Sequence, residues 1–242
     1  MRLLAVACLL FVGIAHAQTP DVFLSTYATQ DHALNADPDS AFWKDAPQIT
    51  MDRVIIGEPD AELKEMVRSR WTKDKLYFLF IGPYDTLDLQ PNPDTVNETY
   101  KLWFHDVFEV DLGANFDNIN LYGEFQMSPQ GEFADLGIDA TKPRPGWNDE
   151  RLWNSGMKVK ARIDQDKKIW YGEMSIPIAS LDKRPVKTGN LFRVNFYRLR
   201  TVPNETKRHF IAWQPTGVWN PHKPAKFGTL KFIDPDTKEP PS

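Results

Sequence analysis

Apolar residues in this sequence recur with a period of two, over short runs bounded by Gly, Pro, Asn and Asp, and no run of about ten residues or more follows the helical period. A chain written this way cannot bury its apolar side as helices. Strands are predicted from Leu63 to Trp71 and Leu76 to Ile81, joined by Thr72-Lys73-Asp74-Lys75, and again at Leu121 to Ser128, Met157 to Ile163 and Ile169 to Ile176. Leu191 to Arg200, His209 to Trp213 and Phe227 to Phe232 complete the set, with a short helical turn at Ile178 to Asp182. The expectation is an all-β chain, an antiparallel β-sandwich of jelly-roll-like kind in a single domain. At 242 residues and 41% hydrophobic, the chain can bury a core of that size.

One stretch promises more than a core. Trp103 to Leu112, read as a strand, places Phe104, Phe108, Val110 and Leu112 on one face and Trp103, His105, Val107, Glu109 and Asp111 on the other. Later strands repeat the second face's chemistry: Tyr122, Glu124 and Gln126; Tyr171 and Glu173; Arg193, Asn195 and Tyr197. Aromatic rings beside carboxylates, amides and a guanidinium suit sugars, whose C–H faces stack on rings while planar polar groups take their hydroxyls. A solvated sheet face with cross-strand ion pairs would read similarly. Trp147, Trp153 and Trp219 fall in loops, where rings can clamp a ligand or plug a loop onto the core. The loop from Gly82 to Thr99 is long enough to invite a function. Asp106 interrupts the apolar face of its strand and must be paired, hydrogen-bonded or bound to a cation; structural Ca²⁺ is one such cation.

Charge and cysteine content exclude several classes. The net charge of −4 comes without a basic run, which argues against nucleic acid as partner. Arg2, the apolar Leu3 to Ile14 and Ala15-His16-Ala17 read as a signal peptide over residues 1–17, leaving the domain at 18–242 and a secreted or periplasmic protein without a membrane span. The one cysteine, Cys8, lies in that segment, so the mature chain has neither disulfides nor a thiolate nucleophile. Asn97-Glu98-Thr99 and Asn204-Glu205-Thr206 match the glycosylation pattern. Phosphate-cradling glycine loops, nucleophile elbows and His-Glu-x-x-His helices are missing from the sequence. Two other chemistries stay open: a haem- or metal-dependent redox module, with His105, His222 or Met127 as ligands, and a glycoside hydrolase using Glu109 and Glu124 as its carboxylate pair.

Taken in order, Trp43, Arg70-Trp71, Leu76-Tyr77-Phe78, Asp106-Val107-Phe108-Glu109-Val110, Tyr122-Gly123-Glu124-Phe125 and Pro129-Gln130-Gly131 resemble the family 9 carbohydrate-binding modules. Trp170 to Pro177, Arg193 to Arg198 and Pro224 to Leu230 extend the resemblance over nearly the whole mature chain. It implies a stand-alone β-sandwich that binds mono- and oligosaccharides between two tryptophans, with calcium in structural positions. Trp71 is one candidate for the clamp, and Trp147, Trp153 or Trp219 the other. The function expected is therefore non-catalytic carbohydrate binding by an exported monomer, in carbohydrate catabolism. The expected contacts are Trp71, Trp103, His105, Glu109, Tyr122, Glu124, Trp147, Trp153, Arg193, Asn195 and Trp219, with Asp106 as the metal-binding residue.

Overall fold

The computed structural model describes residues 21–60, 64–142, 153–200 and 209–235. The expected signal peptide, Cys8, Trp147 and Asn204-Glu205-Thr206 lie outside the described residues. Thirteen strands account for nearly all regular structure. They are β1 (Val22–Tyr27), β2 (Gln48–Met51), β3 (Arg53–Val54), β4 (Glu65–Trp71), β5 (Lys75–Pro83), β6 (Val107–Gly113) and β7 (Leu121–Met127). The rest are β8 (Phe133–Asp139), β9 (Lys158–Asp164), β10 (Ile169–Pro177), β11 (Leu191–Arg200), β12 (His209–Ala212) and β13 (Gly228–Ile233). A single helical turn, α1 (Ile178–Leu181), follows Pro177, which fixes the φ needed to leave the strand.

All thirteen strands belong to one hydrogen-bonded sheet, in the order β8-β7-β6-β11-β13-β1-β4-β5-β10-β9, with β12, β3 and β2 attached beside that path. The sheet is mixed, which corrects the expectation of purely antiparallel pairing. β1 lies parallel to both β13 and β4, while the other pairs are antiparallel. The sheet curls until it is nearly closed, like a barrel. Its end strands are linked through the segment before β9, where Trp153 N donates to Asp135 O of β8 at 3.3 Å.

The period-two reading holds for the inner face. Phe108, Val110 and Leu112 of β6 and Phe125 and Met127 of β7 meet Phe78 and Phe80 of β5 and Trp170 and Met174 of β10, all fully buried. Phe108 is stacked between Phe80 and Trp170, with ring centroids 4.6 and 4.5 Å apart. Gly172 is required here, because a Cβ would lie 2.8 Å from Met127 Sδ.

Three expectations need correction. The strand at Trp103 begins only at Val107; Leu102–Phe104 form a 3-10 turn entered through Lys101 at φ 67°. Trp103 and His105 therefore do not share a strand face with Glu109, and Phe104 is 48% exposed rather than in the core. The stretch from Gln18 to Met51, polar and turn-rich in sequence and expected to hold no strand, contains β1, a central strand, which the Val22 to Tyr27 run could have revealed. Glu173 lies on the outer face of β10 but belongs to the lead-in segment, not to a ligand face. Its carboxylate accepts from Asn35 N, Ala36 N and Trp43 Nε1 at 2.6, 2.8 and 2.7 Å, with His32 Nε2 at 3.0 Å.

Candidate functional site

On the face of β6, β7 and β11 that turns away from the main core, pairing register sets the constellation. Glu109 lies opposite Gln126, Asp111 opposite Glu124, Tyr197 opposite Glu109 and Asn195 opposite Asp111. Two carboxylates directly opposed across a strand pair are unfavourable for a sheet alone. This face is not solvated either: Glu109, Asp111, Glu124, Gln126, Asn195 and Tyr197 are all buried.

The cover is the segment between β12 and β13. Asn195 Nδ2 donates to Gln214 O at 2.8 Å and to Tyr197 Oη at 2.7 Å, and Asn195 Oδ1 accepts from Gln214 N at 2.9 Å. Tyr197 Oη donates to Pro221 O at 2.9 Å, Tyr122 Oη lies 2.7 Å from His222 Nδ1, and an Arg193 Nη donates to Pro224 O. Arg193, Asn195 and Tyr122, expected to contact a ligand, are thus engaged in holding this loop down. Burial, reinforced by the charges of Asp111 and its neighbours, pushes the Tyr122 and Tyr197 phenols well above their usual range. Both hydroxyls stay protonated.

Beside the loop opens a cavity of about 210 Å³ lined by Trp103, Glu109, Glu124, Gln126, Leu136, Leu199, Phe210, Trp219 and Pro221. Four expected residues, Trp103, Glu109, Glu124 and Trp219, meet here. Trp219 is 61% exposed, a high value for an indole. Trp103 packs edge-on against Tyr100, with centroids 5.3 Å apart. At the floor, Gln126 Nε2 donates to Glu109 Oε2 at 2.8 Å and to Glu124 Oε1 at 2.7 Å. This amide lies between the two carboxylates, where a glycosidic carbon would have to sit for an acid–base pair to cleave it.

The remaining expected contacts are elsewhere. Trp71, 4% exposed, stacks on Phe232 at 4.9 Å and donates its Nε1 proton to Ile233 O at 3.1 Å, so it has no surface to offer a ligand. Trp153 covers Gly123 and packs on Phe125 at 6.0 Å, lining a separate groove with Gly113 and Gly137 that is larger, at about 690 Å³, and more open. His105 Nδ1 lies 3.4 Å from Asp88 Oδ1, while Met127 is sealed in the core, so the two cannot share an iron. Asp106 pairs with Arg198 Nη2 at 3.2 Å, both fully buried, so a guanidinium stands where a metal was expected. Among the described residues, no group of three or more His, Cys, Asp or Glu is placed to hold a metal ion. Sequence reasoning missed Phe210 and Leu199 as cavity walls, because each reads as an ordinary strand residue, and Leu136, because no strand was expected over Phe133–Asp139.

The curled, mixed β-sheet around this cavity is similar in fold to solved structures of carbohydrate-binding modules. Three solved structures match it: a protein from Bacteroides uniformis described as a candidate carbohydrate-binding protein, with 18% identity, TM-score 0.65 and 87% of this chain and 98% of that one covered; and a family 9 module from Caldicellulosiruptor kristjanssonii in complex with glucose, with 12% identity, TM-score 0.64 and 91% and 100% coverage. The third is a family 9 module from the same organism in complex with cellotriose, with 13% identity, TM-score 0.63 and 91% and 99% coverage. No protein-family model matches the sequence, and no curated protein does.

Proposed function

We propose that this chain is an exported, non-catalytic carbohydrate-binding protein that takes a sugar in the cavity between Trp103 and Trp219, in the service of carbohydrate breakdown. The observation that carries the reading is the convergence of two indoles at a small cavity whose floor is Glu109, Glu124 and Gln126. Indole faces stack on sugar C–H surfaces, and planar acceptors take pairs of hydroxyls. Matching folds in complex with glucose and cellotriose support the same class of ligand. The amino-terminal pattern of Arg2, an apolar run and Ala15-His16-Ala17 supports export to the periplasm or beyond. Its volume suits one sugar ring rather than a long chain segment, being smaller than the roughly 300–1,000 Å³ usual for larger ligands.

Isothermal titration against xylan, cello-oligosaccharides and simple sugars tests the proposal, with Trp219→Ala as the variant that weakens binding. A mature chain that binds nothing across that panel overturns it.

A further inference from the structure

The segment between β12 and β13 carries Trp219, and the bonds that hold the segment to the sheet define where that indole stands. They meet it at three points. Asn195 grips Gln214 by both backbone groups, its Nδ2 donating to Gln214 O at 2.8 Å and its Oδ1 accepting from Gln214 N at 2.9 Å. Gly217, at φ 80°, donates its N–H to Ile55 O at 3.0 Å. Pro221 O accepts from Tyr197 Oη at 2.9 Å. Val218, Trp219 and Asn220 are all that lies between the last two points. This tip is folded back on itself, with Asn220 N and Thr216 Oγ1 both donating to Val218 O at 2.7 Å.

Two of the three holding points come from one buried unit. Asn195 and Tyr197 alternate along β11 and so project from the same face. Asn195 Nδ2 also donates to Tyr197 Oη at 2.7 Å, and both residues are fully buried. Tyr197 does not itself line the cavity, yet it touches two of the walls that do. Its hydroxyl holds Pro221, and its ring packs edge-on against Phe210 with centroids 5.4 Å apart.

Resting on the carbohydrate-binding reading, we infer that Tyr197, supported by Asn195, is a positioning residue: it does not meet the sugar, and it sets affinity by fixing Pro221 and, through it, Trp219. An exposed indole on a free loop would have to be ordered by the sugar, and that ordering would be subtracted from the binding energy. A three-residue tip fixed at both ends presents the ring face already in place. Removing the Tyr197 hydroxyl leaves the ring packing against Phe210 and takes away the bond to Pro221. The tip is then held to the sheet at its Gly217 end alone.

The test is a double-mutant cycle of Tyr197→Phe and Trp219→Ala, read by titration with cello-oligosaccharides up to millimolar concentrations, each variant first shown by thermal melting to be folded. Tyr197→Phe is expected to weaken binding about five- to tenfold in the parent chain but less than about twofold in Trp219→Ala, where no indole is left to position. A merely structural role, or a direct effect on the cavity floor, would give the same loss in both backgrounds. Thr216→Val, which removes a brace of the tip without touching the face of β11, should act in the same direction as Tyr197→Phe and show the same dependence on Trp219. Equal losses in the two backgrounds, or no loss in the parent chain, overturn the inference and leave the carbohydrate reading intact. Failure of the parent chain to bind any sugar removes both.

Discussion

At the scale of single residues, Trp219 and Glu65 make opposite demands. Trp219 is exposed, so Trp219→Ala should change stability by no more than about 0.5 kcal/mol while weakening sugar binding by about 1–3 kcal/mol. Paired thermal melts and titrations measure both. Glu65 is fully buried near Arg198 and Arg200, and burial raises its carboxyl to about 7 against their opposing pull. An acid whose folded value lies above its unfolded one binds more protons when folded. Stability is therefore highest below the unfolded value near 4.5 and declines as pH rises towards about 7. Melting temperatures across that window should fall with pH, and the fall should be shallower in Glu65→Gln. These two residues also mark what could be seen in the sequence. Alternation was enough to place Glu109, Glu124 and Gln126 on one face, because strand geometry converts spacing directly into direction. It could not separate Trp219 from Trp71, since only tertiary packing decides which indole is sealed against Phe232 and which stands at a cavity mouth.

At the scale of elements, a buried carboxyl group contributes to the anchoring of each of two segments on the sheet. Glu173 gathers the backbone N–H groups of Asn35 and Ala36 and the indole of Trp43, so Glu173→Ala would strand three donors. A loss of about 3–5 kcal/mol is expected in urea denaturation. Glu98, at the end of the long loop, shares hydrogen bonding with Asp135 of β8, whose Oδ2 also accepts from Ser155 N at 3.0 Å. Burial first, then the Asp135 charge, lifts Glu98 to about 7. Ionising it as pH rises sets two carboxylates against each other, so hydrogen-exchange protection over residues 84–99, taken relative to the intrinsic rate at each pH, should fall above neutral pH and no longer change with pH in Glu98→Gln. The loop was legible as long and proline-rich. Its anchoring was not, because Glu98 and Asp135 are 37 positions apart and belong to no motif.

At the scale of the whole molecule, one continuous sheet surrounds a shared core, so the buried indoles should report a single event. Trp43, Trp170 and Trp213 lie in or against different parts of that sheet, and fluorescence should follow one transition coincident with far-ultraviolet dichroism. Phe23, on β1, packs edge-on to Phe196 at 5.7 Å, and Phe23→Ala should cost about 3–5 kcal/mol without altering the floor of the cavity. Most strands could be read from their alternation. The mixed topology could not, since parallel pairing of β1 depends on strands distant in the chain and leaves no local mark.

The position of β13 sets a timetable. It is the last of the described strands, yet it sits between β11 and β1, joining the site-bearing half of the sheet to the half built from β4, β5, β10 and β9. A chain emerging amino terminus first therefore carries two incomplete halves until its final strand arrives. Such a chain closes late, through long-range contacts, on the slow side of the usual range.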